Sequence, residues 1–130
     1  MERHQHRVLL LATDDRDREG LTYLLALRGI AVVPARSSEA ALDALRADAG
    51  FCLIVVDAPP AGAAALPILA TDRTRRLPAV VARAPGSEAA EDDTARGCHL
   101  LAKPVDPDAV RALLVRDCPA SHARSRASFA

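Results

Sequence analysis

The stretch Phe51-Cys52-Leu53-Ile54-Val55-Val56-Asp57 decides the fold of this chain. Its apolar residues follow one another without interruption, with Gly50 before them and Pro59-Pro60 after Asp57. This pattern predicts a strand buried on both faces in the middle of a parallel sheet. Asp57 then lies at the carboxyl end of the strand, the edge where open α/β sheets bind ligands, so its carboxylate is a candidate reactive group. Alternatively, Asp57 only opens a turn, since Asp near Pro is common in loops.

The composition limits the possible functions. A chain of 130 residues fits one domain with a single core. Half of the residues are apolar, but Trp is absent and aromatic residues make up 2%, so the core must consist of Ala, Val and Leu. The 17 basic and 17 acidic residues cancel, which argues against nucleic-acid binding through this domain.

Neither a membrane partner nor a disulfide framework is expected. The apolar run from Val8 to Ala12 is too short for a signal peptide and is followed at once by Asp14-Asp15, so we expect a cytoplasmic protein. The cysteines are Cys52, Cys98 and Cys118. Because they are odd in number and far apart in the sequence, neither a disulfide framework nor a CxxC metal-binding motif is expected.

Strand and helix patterns alternate along the chain. Predicted strands cover 7–12, 30–33, 52–56, 78–82 and 100–102, and predicted helices cover 15–27, 37–47, 63–74, 87–95 and 107–116. The third helix should begin late because of Pro67, and the fourth offers only alanines to the sheet. Right-handed crossovers turn a (βα)5 order into a parallel sheet with helices on both faces. We therefore predict one domain over 1–117 and a flexible tail over 118–130.

Three motifs together resemble one protein family. Ser38-Glu-Ala-Ala-Leu42 begins the second helix, Leu53 to Asp57 forms the central strand, and Leu101-Ala-Lys103-Pro104 ends the fifth strand. With these three motifs in this order, the chain resembles the receiver domain of bacterial response regulators, the CheY-like family. The resemblance extends from Arg7 to about Val115. The resemblance implies a flavodoxin-like three-layer sandwich whose five-stranded parallel sheet has the order 2-1-3-4-5.

The same resemblance implies a role in two-component signalling rather than an enzyme. Asp57 would accept a phosphoryl group from a histidine kinase or a phosphotransfer protein. Lys103 would contact that group, and Pro104 would shape the loop. A downstream protein would read the state of the domain, and a homodimer could form through the fourth helix, the fifth strand and the fifth helix.

The chain departs from the family where Mg²⁺ would bind. Receivers carry an acid pair after the first strand, because Mg²⁺ prefers carboxylate and water oxygens. Here Ala12 and Thr13 occupy the acid-pair positions. A loop shift could bring Asp14 to a metal beside Asp57, which would disturb the register of the first helix. Alternatively, Asp14 or Asp15 caps that helix.

Two positions of the family's conformational switch also differ. Arg83 stands where the family has Thr or Ser, and Leu100 stands where it has an aromatic residue. Since a guanidinium binds a carboxylate through two donors, we predict that Arg83 and Lys103 flank and neutralise Asp57. The alternative is an Arg83 that points into solvent.

These departures leave two functions open. The first is a receiver whose Asp57 accepts phosphate and which acts through protein contacts; the second is a phosphorylation-independent pseudo-receiver that serves as an interaction module. A nucleotide or flavin site is disfavoured, because the segment from Ala12 to Arg16 is acidic and lacks a glycine-rich phosphate loop.

Overall fold

A computed structural model of the chain describes residues 6–47, 50–57, 78–83 and 99–117. In these segments the strands are β1 (Arg7–Ala12), β2 (Ala31–Ala35), β3 (Leu53–Asp57), β4 (Ala79–Arg83) and β5 (His99–Ala102), and the helices are α1 (Asp15–Ala26), α2 (Ser38–Ala47) and α3 (Pro107–Asp117). The helix α3 is the predicted fifth helix. The predicted third and fourth helices and the tail lie outside the described residues.

The five strands form one parallel sheet in the order β2-β1-β3-β4-β5. This confirms both the predicted α/β class and the flavodoxin-like strand order. In the register, Asp57 lies between Ala12 of β1 and Ala82 of β4. The carboxyl ends of the three central strands therefore meet at the same edge.

Each face of the sheet has its own apolar core. On one face, β1 and β3 pack with residues of α1 and α3, including Leu21, Leu25, Val110 and Leu114. On the other face, Leu9, Ile54 and Val81 pack with Ala41 and Leu45 of α2. Apart from Phe51, both clusters consist of aliphatic side chains and Cys52, as the composition predicts.

Four of the five predicted strands differ from the observed ones by one or two residues at an end; the third, predicted over 52–56, is Leu53–Asp57, and the fifth, predicted over 100–102, begins at His99. The second strand was predicted to end at Val33, but β2 continues to Ala35 and includes Pro34. Because β2 is at the edge of the sheet, only some of its backbone N–H groups bond to a neighbouring strand. A proline, which has no N–H group, is therefore tolerated there. The fourth strand was predicted to end at Ala82, but β4 includes Arg83.

The helix ends follow local capping rules. Asp14 is the N-cap of α1, and its carboxylate accepts a hydrogen bond of 2.9 Å from the N–H of Asp17. Ser37 caps α2 by accepting the N–H of Ala40 at 3.1 Å. Gly29 follows α1 with a φ of 76°, the left-handed conformation that favours glycine. None of the helices in the described segments is long and apolar enough to cross a membrane.

A salt bridge joins α1 to α3. The guanidinium of Arg28, just after α1, lies 3.0 Å from the carboxylate of Asp108 in the first turn of α3. The hydrogen bond and the charge of Arg28 lower the pKa of Asp108 below its ordinary value of 3.8. This contact links the segment after the C-terminal end of α1 to the first turn of α3.

Candidate functional site

Asp57 is the last residue of β3 and is presented at the carboxyl edge of the sheet. Its neighbours in the register are Ala12 and Ala82. Paired residues of parallel strands point to the same face, so two methyl groups leave space around the carboxylate. The Asp57 side chain is 9% exposed. Because Asp57 belongs to the strand and its side chain is ion-paired, the interpretation of Asp57 as only a turn residue is wrong.

Lys103 supplies the cation at this carboxylate. Its Nζ lies 2.8 Å from Oδ1 of Asp57, and its side chain is 27% exposed. The backbone N–H of Lys103 donates to the carbonyl of Arg83 at 3.0 Å, which ties the residue after β5 to the end of β4. The peptide bond between Lys103 and Pro104 is cis. The predicted meeting of Asp57 and Lys103 is therefore present in the structure.

An open cleft of about 440 Å³ gives access to the pair. One wall is the exposed side of α1, and the other is the loop between β5 and α3. The lining residues are Arg16, Asp17, Gly20, Leu21, Leu24, Asp57, Lys103, Pro104 and Val105. The described lining of the cleft thus combines two cations and two carboxylates with apolar side chains.

The α1 wall of this cleft was not predicted from the sequence. Arg16, Gly20 and Leu24 follow one another at intervals of four residues, so they share one face of the helix. This spacing is visible in the sequence. Only the contact of α1 with the loop after β5, however, shows that this face lines the cleft at Asp57.

The acids after β1 do not fit the Mg²⁺ site that the resemblance implies. Ala12, beside Asp57, has no side-chain oxygen, and the carboxylate of Asp14 is used by the N-terminus of α1. Asp15 is paired with Arg18, whose hydrogen bond and charge lower the pKa of Asp15. Within the segments that the structure describes, no group of three or more His, Cys, Asp or Glu residues is placed to hold a metal ion.

Replacement of Asp14 should therefore affect stability. We expect Asp14→Ala to lower the free energy of unfolding by about 1 kcal/mol, because the N–H of Asp17 loses its acceptor. Urea denaturation followed by circular dichroism measures this change. The exposed neighbour Thr13 serves as a control, since Thr13→Ala should change stability by less than about 0.5 kcal/mol. Unchanged stability together with loss of Mg²⁺-dependent phosphorylation in Asp14→Ala would instead assign Asp14 to a metal.

Arg83 and Leu100 share the face of the sheet opposite to Asp57. Val81 pairs with Leu100 and Arg83 pairs with Ala102, whereas Asp57 pairs with Ala82. Because side chains alternate along a strand, Arg83 leaves β4 on the side of α2. Its exposed fraction is 5%, so the prediction that it points into solvent is wrong. To contact Asp57, the guanidinium of Arg83 would have to reach around the carboxyl edge of the sheet to the other face. The predicted contact between Arg83 and Asp57 therefore stays a prediction.

Comparison with known proteins confirms the resemblance at the level of the fold. A response regulator receiver protein from Pseudomonas putida is 26% identical, with a TM-score of 0.74 over 88% of this chain and 99% of that chain. A response regulator receiver domain protein from Clostridium thermocellum is 17% identical, with a TM-score of 0.76 over 92% of this chain and 97% of that chain. The chain has the CheY-like receiver fold.

The comparisons also limit what the fold shows about activity. A structure described as adenylate cyclase from Rhodopirellula baltica is 17% identical, with a TM-score of 0.75 over 97% of this chain and 96% of that chain. At this identity the likeness concerns the fold alone, and a fold does not fix a function. No protein-family model matches the chain, and no curated protein matches it.

Proposed function

We propose that this domain is a receiver of two-component signalling in which Asp57 accepts a phosphoryl group and the phosphorylated state is read through protein contacts. The observation that carries the proposal is the ion pair of Asp57 with Lys103 at 2.8 Å, at the carboxyl edge of a receiver-type sheet. The cleft in front of this pair provides access for a phosphodonor. The structures with the same fold, described as response regulator receiver domains, support this role.

The proposed reaction needs only the carboxylate as nucleophile. An oxygen of Asp57 attacks the phosphorus of the donor, and the bond between phosphorus and the donor's histidine nitrogen breaks. The electron pair of that bond leaves with the imidazole, and Asp57 becomes an acyl phosphate. Phosphoryl transfer depends mostly on positioning and on charge neutralisation. Lys103 supplies positive charge at the acceptor, because its ammonium lies 2.8 Å from Oδ1 of Asp57.

The partners proposed for this domain are proteins. A histidine kinase or phosphotransfer protein would present its phosphohistidine to the cleft. A downstream protein, or a second copy of the chain, would bind the output surface predicted on the fourth helix, β5 and α3. Leu100 on β5 and Val115 on α3 are exposed apolar side chains on the two described elements of that surface. A cytoplasmic location belongs to the same proposal.

Phosphorylation of the wild-type protein by a small phosphodonor tests the proposal. After incubation with acetyl phosphate, mass spectrometry should locate the label on the peptide that contains Asp57. We expect Lys103→Gln to slow labelling by about 10- to 100-fold, because a charge-assisted contact contributes roughly 1.5–3 kcal/mol. Arg116→Gln, in the last turn of α3, is the control and should label normally. Equal labelling of Lys103→Gln and wild type would contradict the role of Lys103.

A specific observation favours a second candidate, the phosphorylation-independent interaction module. The carboxylates that would hold a divalent cation are missing or used elsewhere, and Asp57 already has a cation at its side. Such a domain would bind its partner equally well in wild type and in Asp57→Asn. Absence of label on folded wild-type protein, from acetyl phosphate and from phosphoramidate, would decide for this alternative.

A further inference from the structure

Arg16 is a second cation at the cleft and has no role in the site described so far. It lies in the first turn of α1, and its side chain is exposed and lines the same cleft as Asp57 and Lys103. The two cations belong to opposite walls, since Arg16 comes from α1 and Lys103 from the loop after β5. An anion in the cleft would therefore have a cation on either side.

The other arginines that begin and end α1 are already engaged. Arg18 donates to the carbonyl of Ala12 and pairs with Asp15, and Arg28 pairs with Asp108. Arg16 forms no ion pair with any residue in the described parts of the chain. Its guanidinium is free to bind a ligand, and a planar fork of N–H donors fits two phosphoryl oxygens at once.

Charge explains why a second cation is needed. Lys103 balances the single charge of Asp57. After phosphorylation that charge is replaced by between one and two negative charges on the phosphoryl oxygens at neutral pH, so up to about one further charge is left unbalanced. The residues after β1 do not fit a divalent cation that would balance it. Asp17 lies on the same wall as Arg16 and offsets part of its charge. Among the described residues that line the cleft, the remaining cation is Arg16.

We propose that Arg16 contacts the phosphoryl group at Asp57 and acts, together with Lys103, in place of a divalent cation. This inference rests on the proposed function. It assigns to α1 a phosphate-binding guanidinium, and it predicts that phosphorylation of Asp57 proceeds in the presence of a metal chelator. It also predicts that the unphosphorylated cleft binds inorganic phosphate between Arg16 and Lys103.

The rate of labelling in EDTA tests the inference. With acetyl phosphate as donor, Arg16→Ala should label at Asp57 at least about tenfold more slowly than wild type, and Arg16→Lys should recover part of the rate. Arg46→Ala is the matched control, because Arg46 is an exposed arginine on α2, where it pairs with Asp43 at 3.3 Å. It should label at the wild-type rate. Wild-type labelling in EDTA with no effect of Arg16→Ala would overturn the inference and leave the proposed function intact.

A titration with inorganic phosphate, followed by NMR, tests anion binding by Arg16 without requiring that Asp57 be phosphorylated. At constant ionic strength, phosphate should shift the backbone amide signals of Lys103 and Val105 in wild type and in Arg46→Ala, but not in Arg16→Ala. Asp17→Asn should tighten binding severalfold, because it removes the opposing carboxylate. If wild type is never labelled, the proposed function fails, and the titration alone decides the inference. Equal shifts in wild type and Arg16→Ala would then overturn it.

Discussion

Incorporation of phosphate into Asp57→Asn should fall to the background level, whereas the wild-type protein is labelled. The amide of Asn has nearly the shape of the carboxylate but cannot form the acyl phosphate. The effect is complete because no other described carboxylate lies at the end of β3: Asp14 caps α1, Asp15 pairs with Arg18, and Asp17 belongs to the α1 wall of the cleft. Intact-protein mass spectrometry after incubation with acetyl phosphate measures the difference.

The fold should survive this change. Asn keeps nearly the shape of the Asp57 side chain, and the pair borders an open cleft, so we expect Asp57→Asn to give the circular-dichroism spectrum of the folded wild type. Asp43→Asn is the matched control, since Asp43 is an exposed aspartate of α2 paired with Arg46. It should be labelled like wild type. Label that persists in Asp57→Asn would mean that another residue is the acceptor.

Truncation of Ile54 to Ala should lower the free energy of unfolding by about 2–5 kcal/mol. Ile54 is fully buried in the central strand β3, between Leu9 of β1 and Ala79 of β4 in the register. It packs in the cluster that includes Ala41 and Leu45 of α2. Removal of its side chain leaves a cavity that rigid strands on both sides cannot fill. Since a domain of this kind is stable by about 5–15 kcal/mol, the loss is a large part of the total.

Two further variants separate the cavity effect from a general loss of hydrophobicity. Ile54→Val removes one methyl group and should cost about 0.5–1.5 kcal/mol. Val115→Ala removes two methyl groups from an exposed position of α3 and should change stability by less than about 0.5 kcal/mol. Urea unfolding followed by circular dichroism gives all three values. A cost below about 1 kcal/mol for Ile54→Ala would show that the side chain is not enclosed.

Phosphate binding by Arg16 would change how the departures from the family are understood. Ala12 and Thr13 remove the carboxylates that attract a divalent cation, and they leave Asp57 with fewer negative neighbours. Under this proposal, Lys103 and Arg16, cations of the chain itself, would take over the charge neutralisation. The absence of carboxylates at positions 12 and 13 and the presence of Arg16 on α1 would then be two parts of the same electrostatic arrangement.

The sequence by itself determined the sheet and the position of its candidate nucleophile. The run from Phe51 to Val56 predicted a strand covered on both faces, with Asp57 at its carboxyl end. The same local reasoning predicted Gly29 after α1 and a serine cap for α2, because caps depend on neighbours within a few residues. The meeting of Asp57 with Lys103 was predicted through the family resemblance.

Apart from Lys103, only the tertiary structure decided which charged residues lie around Asp57. Arg83 was predicted beside Lys103; the alternation along β4 places it on the opposite face, where it is buried, and its contact with Asp57 stays a prediction. Asp14 could have been a metal ligand or a cap, and the geometry of the first turn of α1 makes it a cap. The sequence pattern did not indicate that Arg16 lies near Asp57, because this depends on how α1 packs beside the loop after β5. Burial and capping are local properties that a pattern of residues encodes, whereas the field at a carboxylate is the sum of charges brought together from distant parts of the chain.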